Sequence, residues 1–176
     1  VQVLLTTVRE KWLRDVILLA GATGMRRGEI VNLRWKQVDL RMGFIGIEGD
    51  ENYRTKGGQM RVIPMCGVVK TLLTELSAQA SNEYVFSRNG EMLRGHYVSR
   101  KFKKYLRSLG MNHRLHLHSL RHGFASWLAL DGVPIYHISK LLGHSSVGVT
   151  EKFYAHLQPE QLRESVERIG LVASRN

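Results

Sequence analysis

Apolar residues at helical spacing open the chain. They recur every three or four positions, as on one face of an amphipathic helix, at Leu4, Leu5, Val8, Trp12, Val16 and Leu19. This spacing predicts one helix over residues 3–20 that Gly21 and Gly24 bring to an end. A shorter apolar face then predicts a second helix over residues 27–34.

The next part of the chain has a pattern typical of a β-hairpin. Phe44, Ile45 and Ile47 predict a strand, and residues 60–64 predict a returning strand. Polar residues and glycines separate the two, with a turn expected at residues 55–58. We therefore expect a small antiparallel sheet.

Helical spacing returns in the second half of the chain. Apolar positions predict a helix over residues 68–76 and another over 98–109, which Gly110 closes. Four further helices are predicted over residues 119–131, 134–142, 147–156 and 159–169. The elements together predict a mainly α-helical domain with one small antiparallel β-sheet, an α+β fold.

The composition is that of one folded domain without a disulfide. The chain has 176 residues, of which 43% are hydrophobic and 23% charged. No apolar run reaches the roughly 18–20 residues that span a bilayer. A single cysteine, Cys66, excludes an intrachain disulfide and favours a cytoplasmic protein. Because the chain begins with Val1 rather than Met, we expect a fragment or a processed product.

The charge points to a polyanionic partner. Lys and Arg number 26 against 15 Asp and Glu, which gives a formal net charge of +11. Such an excess creates a positive field that attracts polyanions, so nucleic acid is the partner that the charge favours. The basic residues are scattered rather than gathered on one amphipathic helix, which argues against a membrane surface.

Several polar groups could carry chemistry, and each also has a structural interpretation. Arg26 and Glu29 lie three positions apart and can pair with each other, or Arg26 can bind a phosphate. Lys56 at the hairpin turn is either a solvated lysine or a proton donor that reaches into a nucleic-acid groove. His144 and Tyr154 can pack in a turn and in the core, respectively.

Residues 116–122 form the densest polar cluster. His118 and Arg121 are three positions apart, so both project from one face of a helix. His118 and His122 are four positions apart and could instead bind a metal ion with a third histidine. The cluster could also be the capped start of a helix with packed histidine rings.

Taken together, these groups suit phosphoryl transfer. Two guanidinium groups can hold the non-bridging oxygens of a phosphate and neutralise charge that develops on phosphorus. Histidines can act as bases or hydrogen-bond donors, and a lysine can protonate a departing alkoxide. A tyrosine becomes a nucleophile when cations and a base help to remove its proton.

Four ordered boxes and the hairpin lysine resemble the catalytic domain of the tyrosine site-specific recombinases, the phage-integrase and Xer-type family. Residues 23–30 are similar to the first arginine box and residues 118–122 to the His-x-x-Arg box. Residues 141–145 are similar to the Leu-Gly-His box, and residues 150–157 to the box that ends in the nucleophilic tyrosine. The resemblance covers residues 4–157.

The resemblance implies a role for each matching residue. Arg26 and Arg121 would grip the scissile phosphate of DNA, and His144 would bond a non-bridging oxygen. His118 would assist proton transfer and hydrogen-bond the phosphate. Lys56 would protonate the 5′-oxygen as it leaves, and Tyr154 would form a 3′-phosphotyrosine link, reversed by a 5′-hydroxyl without metal, ATP or another cofactor. Glu29 would orient Arg26.

The resemblance also implies an organisation. Residues 1–158 would be the catalytic domain, residues 159–176 would dock on a neighbouring protomer, and an N-terminal DNA-binding domain would be absent. The protein would form a tetramer on DNA, with accessory DNA-bending proteins as possible partners, at the nucleoid of a bacterium or phage host. Two departures stand out: Ser119 replaces a frequent acidic residue, and the ten-residue step from His144 to Tyr154 is one longer than usual.

Other functional classes fit parts of the sequence. Residues 123–154 can form a helix-turn-helix, so the chain could be a non-catalytic DNA-binding module. A type IB topoisomerase would use similar chemistry but only relax supercoils. A metal-dependent nuclease would need the histidine cluster as ligands.

Overall fold

The computed structural model describes residues 1–48, 60–88, 90–144 and 146–154. Within these ranges the helices are α1 Gln2–Thr7, α2 Lys11–Thr23, α3 Arg27–Val31, α4 Gly67–Ser77, α5 Gly95–Ser108, α6 Leu117–Leu130, α7 Ile135–Leu142 and α8 Val147–Tyr154. The strands are β1 Val38–Asp39, β2 Phe44–Ile47, β3 Arg61–Pro64, β4 Ser87–Arg88 and β5 Glu91–Met92. The predicted α+β class, mainly helical with a small antiparallel sheet, is confirmed.

The prediction of one helix over residues 3–20 is wrong. The chain leaves helical geometry between α1 and α2, where the backbone at Val8 is extended with ψ of 122°. Contacts with α5 hold this break: the Tyr105 hydroxyl donates to the Glu10 carboxylate and accepts the Arg9 amide at 3.1 Å. The Lys101 ammonium adds an ion pair to Glu10 at 3.0 Å. The apolar spacing continues across the break because the apolar residues of both helices pack in the same core cluster.

The two glycines expected to end this helix behave differently. Gly21 lies inside α2, which continues to Thr23. Gly24 ends α2 in the left-handed conformation with φ of +64°. The second helix is shorter than predicted and spans only α3.

The predicted hairpin strands are confirmed. β2 and β3 pair antiparallel, with Ile45 opposite Ile63 and Ile47 opposite Arg61. β1 adds to the outer side of β2, in the order β1-β2-β3, and β4 and β5 form a separate ladder. Neither addition was predicted, because strands of two residues are too short for a pattern of alternation. The turn at residues 55–58 lies outside the described residues.

The predicted later helices are confirmed within a few residues, except that residues 155–169 lie outside the described part. α6 starts two positions earlier than predicted, and its first turn carries a capping box. The Ser119 hydroxyl accepts the backbone N–H of His116 at 3.2 Å. Serine therefore performs the capping at the position where the family frequently has an acidic residue.

The core has two clusters, and α6 belongs to both. The larger cluster joins the first helices, the sheet and α5 to the start of α6 through Leu117 and Leu120. The smaller cluster packs α6, α7 and α8 together and contains Ala125, Ala129, Ile138, Leu142 and Tyr154. The boundary between the clusters therefore falls within α6, between Leu120 and Ala125. Among the described helices, none combines the length and apolar character that a membrane span requires.

We predict that Gly24→Ala destabilises the domain by about 2 kcal/mol, because a left-handed backbone disfavours a side chain. The added Cβ would also lie 2.6 Å from Cδ1 of Phe124 and 3.1 Å from Cδ2 of Leu142. Urea unfolding measures the change. The matched control is Gly123→Ala inside α6, where a Cβ meets nothing within 4 Å. The control should be neutral or stabilise the helix, and equal losses in both variants would contradict the prediction.

Candidate active site

A cavity of about 830 Å³ opens between the start of α3, the start of α6 and the end of α7. Four of the sequence-predicted site residues line it: Arg26, His118, Arg121 and His144. The other lining residues are Arg27, Gly28, Ser99, His116, Leu117, Gly143 and Val149. Residues far apart in the chain thus meet on a basic concave surface.

Arg26 is held by Glu29 at the start of α3. The Glu29 carboxylate accepts the backbone N–H of Arg26 at 2.7 Å and its Nη1 at 3.1 Å. This is a capping box in which the acidic side chain satisfies the helix start and also fixes the arginine. The pairing considered from the sequence is present, and Arg26 still lines the cavity.

Arg61 on β3 is a site residue that the sequence analysis missed. Its Nη1 and Nη2 donate to the two oxygens of Glu29 at 2.9 and 2.7 Å, and its Nε donates to the Leu141 carbonyl at 2.8 Å. The Arg61 side chain is only 6% exposed and that of Glu29 is fully buried. A charged residue within an apolar strand was the available signal, but nothing local indicates a partner 32 positions away.

The two arginines set the charge of Glu29. Burial alone would raise the pKa of this carboxyl, but the hydrogen bonds and charge of Arg61, with those of Arg26, lower it below its usual value. Glu29 is therefore ionised at neutral pH and acts as the anionic partner of both guanidinium groups.

Arg121 projects from α6 and is almost completely buried, with 2% of its surface exposed. Its Nη1 donates to the Gly24 carbonyl at 2.7 Å and its Nη2 to the Leu142 carbonyl. Burial, followed by the nearby charge of Arg26, lowers the pKa of Arg121 to about 10, so the guanidinium stays charged at neutral pH. The two carbonyls fix the plane of a group that has five N–H donors.

His118 and His144 are neutral at pH 7. Burial and the charges of neighbouring groups lower the pKa of both imidazoles to about 4. For His144 the neighbouring charges are Arg121 and Arg26. His144 follows Gly143, whose left-handed backbone ends α7, and its Nδ1 lies 2.8 Å from the Thr150 hydroxyl.

Tyr154 lies beside the cavity rather than among the residues that line it. The residue is 4% exposed and packs in the smaller core cluster. Its hydroxyl lies 2.8 Å from Nδ1 of His122, and burial raises the pKa of the phenol, an effect that Arg121 opposes. The ten-residue step from His144 puts Thr150 against His144 and Tyr154 one helical turn further, against His122.

Two sequence-based expectations concern other parts of this region. Lys56 lies outside the described residues, so its place in the site stays a prediction. The histidine cluster is present as packed rings, with His118 and His122 edge to face at 4.9 Å between centroids. In the part of the chain that the structure describes, no three His, Cys, Asp or Glu side chains are grouped as metal ligands would be.

We predict that Arg61→Met lowers the free energy of unfolding by about 3 kcal/mol, because it removes a partner of a buried carboxylate. The matched control is Arg94→Met, which breaks an exposed pair with Glu91 at 3.8 Å. The control should change stability by less than about 0.5 kcal/mol. Urea unfolding at pH 7 compares the two, and similar small losses would contradict a structural role for Arg61.

We predict that the domain becomes less stable as the pH falls from 6.5 towards 4. Over this range His118 and His144 bind protons in the unfolded chain but stay neutral in the folded protein, where their pKa is about 4. Protonation therefore favours the unfolded state. Urea midpoints at pH 7.0, 6.0 and 5.0 measure the decline. Replacing both histidines by glutamine should make the decline less steep, whereas His137→Gln on α7 should not, and a decline unchanged in the double variant would refute the assignment.

Similarity to known proteins identifies the family. The model of the phage integrase family matches residues 1–161. The tyrosine recombinase XerA of Pyrococcus furiosus is 32% identical over 183 residues, which cover 98% of this chain and 60% of the relative. The tyrosine recombinase XerD of Staphylococcus epidermidis is 31% identical over 160 residues, covering 86% of this chain and 52% of the relative. The chain therefore spans about half to three fifths of the length of these relatives.

Solved structures share the fold. The crystal structure of XerA recombinase matches with a TM-score of 0.65 and 25% identity, over 92% of this chain and 64% of that chain. The Tn1549 transposon integrase, in complex with transposon right end DNA, matches with a TM-score of 0.75 and 23% identity, over 96% and 64%. With a family match over nearly the whole sequence and the same fold in these structures, the chain belongs to the phage integrase family.

Proposed function

We propose that this chain is the catalytic part of a site-specific recombinase that cuts and rejoins DNA through a 3′-phosphotyrosine intermediate. The observation that carries the proposal is the basic cavity in which Arg26, His118, Arg121 and His144 converge, with the Tyr154 hydroxyl at its side. The proposed catalytic roles combine the family's chemistry with the positions of these residues.

Arg26 and Arg121 are the proposed phosphate clamp. Both residues line the cavity, and each guanidinium group is already fixed by hydrogen bonds within the protein, Arg26 to Glu29 and Arg121 to two carbonyls. Such preorganised donors stabilise charge on the oxygens of a pentacoordinate phosphorus without reorganising during the reaction. Glu29 is the proposed positioning residue for Arg26.

The histidines are proposed to bond the phosphate and assist the movement of protons. A neutral imidazole can donate from one nitrogen and accept at the other, and both His118 and His144 are neutral at pH 7. Thr150 would orient the His144 ring through Nδ1. Lys56 is the proposed acid for the leaving 5′-oxygen, on the family resemblance alone.

Tyr154 is the proposed nucleophile. Its attack would replace one phosphodiester by another, so the bond energy is kept in the enzyme–DNA link and a 5′-hydroxyl can reverse the step. Since the phenol lies beside the cavity, formation of the reactive complex would bring its oxygen and the phosphorus together.

Double-stranded DNA is the proposed partner. The net charge of +11 supports it, as does the DNA present in the solved structure of the Tn1549 transposon integrase. With DNA as substrate, the activity would be carried out at the nucleoid. We further propose residues 1–158 as the catalytic domain, residues 159–176 as a segment that docks on a neighbouring protomer, a tetramer on DNA, and accessory bending proteins as further partners.

We predict that the protein captures DNA covalently through Tyr154. The probe is a pool of randomised duplexes, each with a nick that lets a short 5′-hydroxyl strand diffuse away after cleavage. Complexes that resist SDS are collected, and peptide mass spectrometry locates the nucleotide. Capture should be lost in Tyr154→Phe, which removes only the hydroxyl, while DNA binding in a gel-shift assay should persist.

The controls separate this proposal from its alternatives. Tyr136→Phe removes a hydroxyl from an exposed tyrosine of α7 and should leave capture intact. Binding without capture would favour a non-catalytic helix-turn-helix module, and capture that survives Tyr154→Phe would overturn the choice of nucleophile. Relaxation of a supercoiled plasmid without strand exchange between two duplexes would favour a topoisomerase.

A further inference from the structure

The hydroxyl of Tyr154 contacts His122, a histidine outside the set that lines the cavity. Its oxygen lies 2.8 Å from Nδ1 of His122, while His118 and His144 line the cavity. His122 follows Arg121 on α6, and its ring meets the His118 ring edge to face. His122 therefore lies between the buried phenol and a residue of the phosphate cavity.

We propose that His122 is the base that accepts the proton of Tyr154. The inference rests on the proposed function, since it concerns the attack of Tyr154 on DNA. His118, which lines the cavity, would then only hydrogen-bond the phosphate. His122 would perform the proton transfer that the family resemblance implied for His118.

The exposure of the two side chains fits this role. Tyr154 is buried, with 4% of its surface exposed, whereas His122 is an exposed residue. An imidazole that touches a buried phenol at one nitrogen and reaches solvent can pass a proton outward. The solvent-exposed ring also leaves space that a small base from solution could enter if the side chain were removed.

The surroundings of His122 keep its imidazole neutral, so that it can accept a proton. Burial, followed by the charges of Arg121 and His116, lowers its pKa, so the imidazole is neutral at neutral pH. In the tautomer that carries hydrogen on Nε2, Nδ1 accepts the phenol hydrogen bond. A phosphate between Arg26 and Arg121 would add negative charge close by and stabilise the imidazolium that forms.

The Tyr154 O–H bond breaks and its proton moves to Nδ1 of His122, while the phenolic oxygen forms a bond to phosphorus. The bond from phosphorus to the 5′-oxygen breaks with its electron pair, and the leaving oxygen takes a proton from the proposed acid. In the rejoining step the 5′-oxygen bonds phosphorus and its proton goes to the deprotonated acid, while the bond from phosphorus to the tyrosine oxygen breaks and His122 returns its proton to that oxygen.

The test compares His122→Asn and His122→Ala with the wild-type protein. Asparagine keeps an acceptor near the position of Nδ1 but cannot take a proton at neutral pH. The probe is a nicked duplex recovered from the captured pool, at saturating concentration, and the readout is the single-turnover rate of covalent complex formation. We expect both variants to be slower by about 100-fold, the lower end of a typical base contribution.

Rescue by added imidazole makes the test specific for a base. Imidazole should raise the rate of His122→Ala at least several-fold, and more basic imidazoles should raise it further. The wild-type rate and that of His137→Ala, a variant in an exposed histidine of α7, should not respond. Thermal midpoints and gel-shift affinities report that the variants fold and bind.

Three outcomes would overturn the inference: a His122→Asn rate within about threefold of wild type, a slow His122→Ala that imidazole leaves unchanged, or equal imidazole activation of all proteins. If His122→Ala does not fold, His122→Asn decides alone. The proposed function fails separately, when the wild-type protein forms no covalent complex through Tyr154. A normal wild-type complex with a fast His122→Asn therefore rejects only the role of His122.

Discussion

The buried carboxylate of Glu29 is the interaction on which the cavity depends. A fully buried charge costs several kcal/mol unless it is paired and hydrogen-bonded, and here two arginines supply both. Because Arg61 also donates to the Leu141 carbonyl, the same network joins the start of α3, the strand β3 and the end of α7. The loops that carry Arg26 and His144 are thereby held at a fixed separation.

Arg121 makes the equivalent connection from α6. It bonds the carbonyls of Gly24 and Leu142, which end α2 and α7, so it ties the larger core cluster to the smaller one. The guanidinium groups of Arg26, Arg61 and Arg121 thus lie near the single carboxylate of Glu29, which pairs directly with the first two. Burial and the charge of Arg26 lower the pKa of Arg121. The folded site therefore carries excess positive charge, which a bound phosphate would relieve.

The sequence predicted those elements whose formation depends on residues close together in the chain. The strands β2 and β3 and the helices α4 to α7 follow from apolar spacing and glycine positions, and the ordered boxes predicted four of the residues that line the cavity. The break between α1 and α2 could not be predicted, because Tyr105 and Lys101 stabilise it from α5. Arg61 was missed for the same reason, since its partners are distant in the chain. Core packing of Tyr154 was one of the two interpretations that the sequence allowed, and packing among three helices decides in its favour.

One electrostatic arrangement accounts for both halves of the proposed chemistry. Arginines hold a phosphate but cannot take protons, since their pKa stays well above neutral. Burial, and after it the same cationic surroundings, lowers the pKa of His118, His122 and His144. Histidines that were already protonated could not act as bases, so the field that attracts the phosphate also keeps them available. In the proposed reaction, the negative charge of an arriving phosphate would reverse this bias, because it would make protonation of a nearby imidazole more favourable at the moment when the tyrosine must lose its proton.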